Sequence, residues 1–303
     1  MLHAKTRPYK LCSPYIKYTP LPKQTEVKTQ TARPSKQSPH EHITPTMPHL
    51  TTSLSSLPPF PSHLTHAPIA RISSAALLSH SPAAAASILQ ACQTYGFFYL
   101  DLSDSAVGQT LLSEAEQLLT LAKQAFALPL ETKSRFALQK GVSLFGYKAA
   151  GTVKATDRDQ RPDSTEFWNV GKDHVLGIRA REGGYHGVLE ERRELFAGFM
   201  TRAHGVGMEV LAALEREMGL ERGELRELNR LEKESGDHVR LTRKAAVQAE
   251  GSVGLPSHTD FGSVTLLFNW LGGLQIESRT EGKEGEWEWV VPVEGCAVVN
   301  LGE

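Results

Sequence analysis

Apolar residues follow two different rhythms along this chain. From about residue 68 to 218 they recur mainly at helical spacing, and after Gly236 they come in short runs broken by glycine. Order is expected to begin near Pro68, where Ile69, Arg71 and Ile72 outline a short strand. Ser74 stands where a helix cap is needed, ahead of an Ala-rich helix reaching about Cys92. Gly96-Phe97-Phe98-Tyr99-Leu100 reads as a buried strand. A helix is predicted over 106–126, ended by Pro129. A longer one is predicted over 190–218, where Phe196, Phe199, Met200, Ala203, Val210, Leu211, Leu214 and Met218 form one apolar face. Gly205 and Gly207 should weaken that helix locally.

The second rhythm predicts strands over 239–242, 264–270, 274–277, 287–293 and 297–301. Gly272-Gly273 and the Gly- and Glu-rich stretch 282–285 punctuate them. Helices followed by many short strands predict an α+β fold, with helices packed on a jelly-roll-like antiparallel sandwich. The segment 1–62 differs from both regions: it is rich in Pro, Ser, Thr, His and Lys. So few large apolar residues cannot offset the entropy of ordering, and a disordered or low-complexity extension is expected. Its basic, acid-poor start leaves a transit peptide open, and a mistaken start upstream of Met47 is a further reading.

Charge and cysteines narrow the setting. The formal net charge is −1, which gives no bulk attraction to nucleic acid or an anionic membrane, so neither is an expected partner. No apolar run is long enough to span a bilayer as a helix. Cys12, Cys92 and Cys296 are scattered and fit neither a disulfide framework nor a zinc-type spacing, so a reducing, cytoplasmic setting is expected.

The candidate chemistry lies in Pro256-Ser257-His258-Thr259-Asp260-Phe261-Gly262. On a strand, residues two apart share a face, so His258 and Asp260 are candidate ligands of one metal ion. A His-x-Asp triplet alone is weak, and a loop histidine beside a turn aspartate is the plain alternative. Its neighbours change the balance. The triplet is followed by Gly272-Gly273-Leu274-Gln275-Ile276, then Trp287, Val290 and Pro292, then Val298-Val299-Asn300-Leu301-Gly302-Glu303. Upstream, residues 68–102 add an opening strand, an Ala-rich helix and a Tyr-Gly-Phe-Phe-Tyr-Leu strand. Together, over about 66–303, these segments resemble the iron(II)- and 2-oxoglutarate-dependent dioxygenases of the isopenicillin N synthase type.

The resemblance implies a double-stranded β-helix with Fe(2+) at its mouth and 2-oxoglutarate as cosubstrate. It implies oxidation of a small organic molecule by molecular oxygen, with His258 and Asp260 as metal ligands. It divides the chain into an N-terminal dioxygenase region, 63–200, and an iron/2-oxoglutarate core, 201–303. Three departures follow. The family's second iron-binding His lies on a later strand, yet no His follows His258. The family's Arg-x-Ser pair for the cosubstrate carboxylate is also missing. The stretch Arg-Leu-Thr-Arg-Lys-Ala-Ala, starting at Arg240, replaces a family pattern that carries a Tyr. Arg240 remains a candidate for binding the cosubstrate anion. The core is therefore expected to be incomplete and C-terminally truncated relative to the family. Weak iron binding and little turnover are expected, and a catalytically inactive binding or regulatory module is the alternative. Near the triplet, Asn300 is read as a structural hydrogen-bonding residue and Cys296 as a core thiol. Tyr147, Phe167 and Trp168 are read as packing residues or pocket lining.

Overall fold

The structure is a computed structural model that describes residues 16–18, 59–139, 141–152, 163–181, 183–244 and 255–303. Cys12, Met47 and the Ala-Ala end of the stretch that starts at Arg240 lie outside these residues. The fold is α+β: helices pack on the sheets of a jelly-roll core.

Three helical segments form the support. The Ala-rich segment is two helices, α1 (Ser74–Leu78) and α2 (Pro82–Thr94), where one was expected. The break has a local cause. His80 adopts a left-handed backbone with φ 58°, and Pro82 can begin a helix but not continue one. The cap is also displaced by one residue. Ser73, at the end of strand β2 (Ala70–Ser73), accepts from the Ala76 amide at 2.9 Å. Ser74 is buried, and its hydroxyl donates to Asp104 Oδ1 at 2.8 Å. Helix α3 (Ala106–Ala127) is capped by Ser105, whose Oγ accepts from the Gly108 amide at 3.0 Å. After short helices α4 (Leu130–Ser134), α5 (Lys172–Val175) and α6 (Gly187–Glu190), helix α7 runs Arg193–Met218. It begins after a turn and not at residue 190, and it continues unbroken through Gly205 and Gly207. Phe196, Phe199, Met200, Val210, Leu211 and Leu214 are buried along it, against α2, α3 and the sheet. No helix among the described residues is long and apolar enough to cross a membrane.

Two four-stranded sheets face each other. One has the order β2, β3 (Phe97–Asp101), β11 (Cys296–Leu301), β8 (Val264–Leu267). Its central strands are buried on both sides, which explains their unbroken apolar sequences. Phe98, Leu100, Val299 and Leu301 face the helices. Phe97, Tyr99 and Val298 alternate with them and meet Leu274, Ile276 and Val290 of the opposite layer. Within this sheet β2 and β3 are parallel, joined by the α1–α2 crossover, where an all-antiparallel sandwich was expected.

The opposite layer has the order β10 (Trp287–Trp289), β9 (Leu274–Glu277), β1 (Ile16–Tyr18), β7 (Leu255–His258). Strand β1 comes from inside the segment 1–62 that was expected to lack structure. Three residues in a Pro- and Thr-rich stretch are too short for a periodicity to register, and what recruits them is the pair of edges offered by β7 and β9. Strands β8 and β10 stop earlier than predicted, at Leu267 and Trp289.

A third sheet joins β4 (Gly146–Lys148), β5 (Thr165–Gly171) and β6 (His238–Lys244). Its core is charged. Buried Glu166 accepts from Lys133 Nζ at 2.9 Å, from the Tyr147 hydroxyl at 2.5 Å and from Arg243 Nε at 2.5 Å. Burial alone would raise the Glu166 carboxyl, but these bonds hold it below its usual range. Trp168 and Tyr147 are buried and packed on each other, with ring centroids 5.1 Å apart, so both act in packing.

Candidate metal centre

His258 closes β7, and Asp260 lies in the loop that leads to β8. Because the strand stops at His258, strand alternation does not orient Asp260. Hydrogen bonds do that instead. Thr265 on β8 and Asn300 on β11 are cross-strand partners. Thr265 Oγ1 and Asn300 Nδ2 both donate to Asp260 Oδ2, each at 2.9 Å. With Oδ2 held from below, Oδ1 is left 3.6 Å from His258 Nε2.

The loop backbone is fixed as well. The Glu303 amide donates to the Asp260 carbonyl at 2.9 Å, and the Gly302 amide donates to Ser263 O at 3.3 Å. Thr259 Oγ1 also donates to the Glu303 carboxylate. Gly302 permits this closure, because a Cβ there would collide with the Gly262 carbonyl and lie 2.6 Å from the Asp260 carbonyl oxygen.

The donors suit a divalent metal. The neighbouring His258 imidazole and the hydrogen bonds from Asn300 and Thr265 hold the Asp260 carboxyl down at about 2, against a burial that would raise it. It is therefore ionised at any working pH. The two side chains remain 34% and 26% exposed, so the pair opens to small molecules. One imidazole nitrogen and one carboxylate oxygen form part of a facial nitrogen–oxygen set of the kind that holds iron(II). Among the described residues no cluster of three or more His, Cys, Asp or Glu side chains forms around a common point. Three other histidines are engaged elsewhere: His204 Nε2 with Asn229 O at 2.6 Å, His238 Nδ1 with Gly236 O at 2.8 Å, and His186 as the cap of α6.

Arg240 lies on β6, donating from Nε to Asn169 Oδ1 at 2.8 Å with its guanidinium 4.4 Å from the Phe167 ring centroid. Arg243 is bound to Glu166. Cys296 is partly buried, and burial pushes its thiol up to about 11, as fits a packing role. Sequence reasoning missed Thr265 and Gly302. A Thr inside an apolar strand carries no signal until its partner is known, and Gly302 reads as an ordinary strand end.

The chain is similar to known proteins. A 2-oxoglutarate-dependent dioxygenase of Aspergillus fumigatus is 31% identical over 264 residues, covering 80% of this chain and 68% of that protein. The chain belongs to the 2-oxoglutarate-dependent dioxygenase family. The family described as "non-haem dioxygenase in morphine synthesis N-terminal" matches residues 67–186 of this dioxygenase-family chain. A further relative, the 2-oxoglutarate-dependent dioxygenase gloE of Glarea lozoyensis, is 32% identical over 71% of this chain and 62% of its own length. The chain thus spans about two thirds of the curated relatives it matches, 68% and 62% of these two. Among solved structures, a 2OG-Fe(II) oxygenase family protein from Caulobacter crescentus is similar with a TM-score of 0.61 and 27% identity, over 78% of this chain and 74% of its own. A full-length Neurospora crassa protein solved in complex with alpha-KG has a TM-score of 0.60 and 25% identity, over 77% and 72% of the two chains.

Proposed function

We propose that this chain is a non-haem iron(II), 2-oxoglutarate-dependent oxidoreductase, or the greater part of one, acting on a small organic molecule with molecular oxygen. The observation that carries the reading is the His258–Asp260 pair, 3.6 Å apart and braced by Asn300 and Thr265, in a chain of this family. His258 Nε2 and Asp260 Oδ1 would hold the metal. Iron(II) bound there supplies the redox chemistry toward dioxygen, and the protein residues fix where it happens. Asn300 and Thr265 keep the carboxylate aimed.

Arg240 is the proposed contact for the 2-oxoglutarate carboxylate. Arg240 lies on β6, where its side chain also meets Asn169 and Phe167. Its fixed positive charge is what supports the reading, because it can pair with a carboxylate. A reducing, cytoplasmic setting is proposed as well, and the free thiols of Cys92 and Cys296 support it.

One observation favours a second reading, a binding or regulatory module. Only two candidate ligands converge among the described residues, and a facial set wants three. The test is anaerobic loading of the full chain with iron(II) and 2-oxoglutarate, followed by air and measurement of succinate. Succinate that is lost in His258→Ala supports the oxidoreductase. Metal and 2-oxoglutarate binding without succinate supports the module.

A further inference from the structure

The loop 259–263 joins β7 to β8 and carries Asp260. The bonds described above tie it to one sheet: to Thr265 on β8, to Asn300 on β11, and to Gly302 and Glu303 just after β11. Among the described residues, one further hydrogen bond leaves that sheet. Ser263 Oγ donates to Asn229 Oδ1 at 2.9 Å. Asn229 ends a 3-10 turn, Arg226–Asn229, that follows α7. Its amide nitrogen donates back to Leu225 O at 2.9 Å, which leaves Oδ1 as the acceptor facing Ser263. Its backbone carbonyl accepts from His204 Nε2 of α7 at 2.6 Å.

The turn has a second anchor on α7. Glu215, with a side chain 3% exposed, accepts from the Gly223 amide at 3.0 Å, the Leu225 amide at 2.9 Å, the Arg226 amide at 3.0 Å and Arg226 Nε at 3.1 Å. Bonds to a carboxylate are stronger than neutral ones, so four of them make a firm base. Around these two anchors α7 itself is packed into the core through Met200, Val206, Val210 and Leu214. Asn229 is therefore a fixed point set by the helix layer, and Ser263 is where the ligand loop meets it.

We propose that Asn229 is a positioning residue for the metal centre, coupling the ligand loop through Ser263 to helix α7. The reading rests on His258 and Asp260 as metal ligands. Asp260 is then held from two bodies of the fold, the sheet and the helix layer. Between Asp260 and Ser263 the loop has little else to hold it: Phe261 is 97% exposed, and Gly262 has no side chain. Loss of the Ser263–Asn229 bond frees the outer half of the loop and lets the carboxylate drift from His258.

The experiment uses the full chain and two readouts. The first needs no metal. Chymotrypsin cuts after exposed Phe261 as often as the loop opens, and mass spectrometry follows that one cut. Cleavage there should be about threefold faster or more in Ser263→Ala and in Asn229→Ala, and close to wild type in Ser263→Thr, which keeps the hydroxyl. The second readout is cobalt(II) affinity. It should fall about three- to tenfold in each Ala variant and recover in Ser263→Thr. The double Ala variant should be no worse than either single one, because both remove the same bond. Unchanged cleavage in both Ala variants overturns the tether, and so does a Ser263→Thr variant that behaves like Ser263→Ala. Faster cleavage with cobalt(II) affinity unchanged, or additive losses in the double variant, overturns the positioning role. If the wild type binds no cobalt(II), the metal reading fails, and the cleavage rates alone decide the tether.

Discussion

Replacing Glu166 by Gln removes one negative charge from a buried position at which three donors are aimed. Lys133 Nζ lies 2.9 Å from one carboxylate oxygen and shares it with the Tyr147 hydroxyl, while Arg243 Nε lies 2.5 Å from the other. A Gln side chain has one acceptor oxygen, and its amide group would face a donor on the remaining side. The Arg243 side chain is half exposed and can turn to water, so its loss is worth about 0–1 kcal/mol. Lys133 is different: its side chain is 5% exposed, and its charge would be left with only neutral acceptors, Phe126 O at 3.1 Å and the single Gln oxygen. Breaking a buried pair by removing one partner costs about 3–5 kcal/mol, because the other charge stays buried without compensation.

The assay is urea unfolding of the full chain. The midpoint should fall by about 1–3 M with the slope unchanged. A loss below about 1 kcal/mol would refute the reasoning, since Lys133 would then be finding water or another partner. The pH dependence supplies a second check with a definite sign. The folded Glu166 carboxyl lies below its ordinary 4.5, so its contribution is fully present above that value and is lost as pH falls through the lower, folded value. Wild type and Glu166→Gln should therefore converge in stability toward acid pH and differ most near neutrality.

Three other outcomes follow from the geometry. Asn300→Ala removes one of two donors that aim Asp260, and should weaken cobalt(II) binding about 10–100-fold with the fold retained, as read by calorimetric titration. Gly302→Ala places a methyl against the Gly262 and Asp260 carbonyls, and should cost about 1–3 kcal/mol in urea unfolding while also weakening cobalt(II) binding. Cys92 is buried with its thiol pushed up to about 12, and Cys296 is part-buried at about 11, so at pH 8 both should resist a thiol reagent in the folded chain and react on unfolding.

The features that could be read from the sequence were those with a local cause. Strand β9 matches its predicted limits, Leu274–Glu277, because paired glycines precede it. Helix α7 was visible because Phe196, Phe199, Met200, Val210, Leu211 and Leu214 recur at helical spacing, and all six are buried. The break between α1 and α2 has a local mark in Pro82 but was read through, because alanines continue on both sides of it. Nonlocal features were harder to see. The pairing of Thr265 with Asn300, which orients Asp260, depends on the register of β8 against β11. The placement of Ile16–Tyr18 between β7 and β9 depends on two edges near the other end of the chain. The His258–Asp260 pair was read from its triplet together with the motifs that flank it, on an assumed strand, whereas the strand ends at His258 and hydrogen bonds from Thr265 and Asn300 orient Asp260.

The most direct measurement is an anaerobic cobalt(II) or iron(II) titration of the full chain beside His258→Ala and Asp260→Ala. If the pair holds the metal, the wild type binds one ion and each substitution weakens binding at least about tenfold, with the fold unchanged by circular dichroism. Equal binding by all three proteins would contradict the assignment of the metal centre.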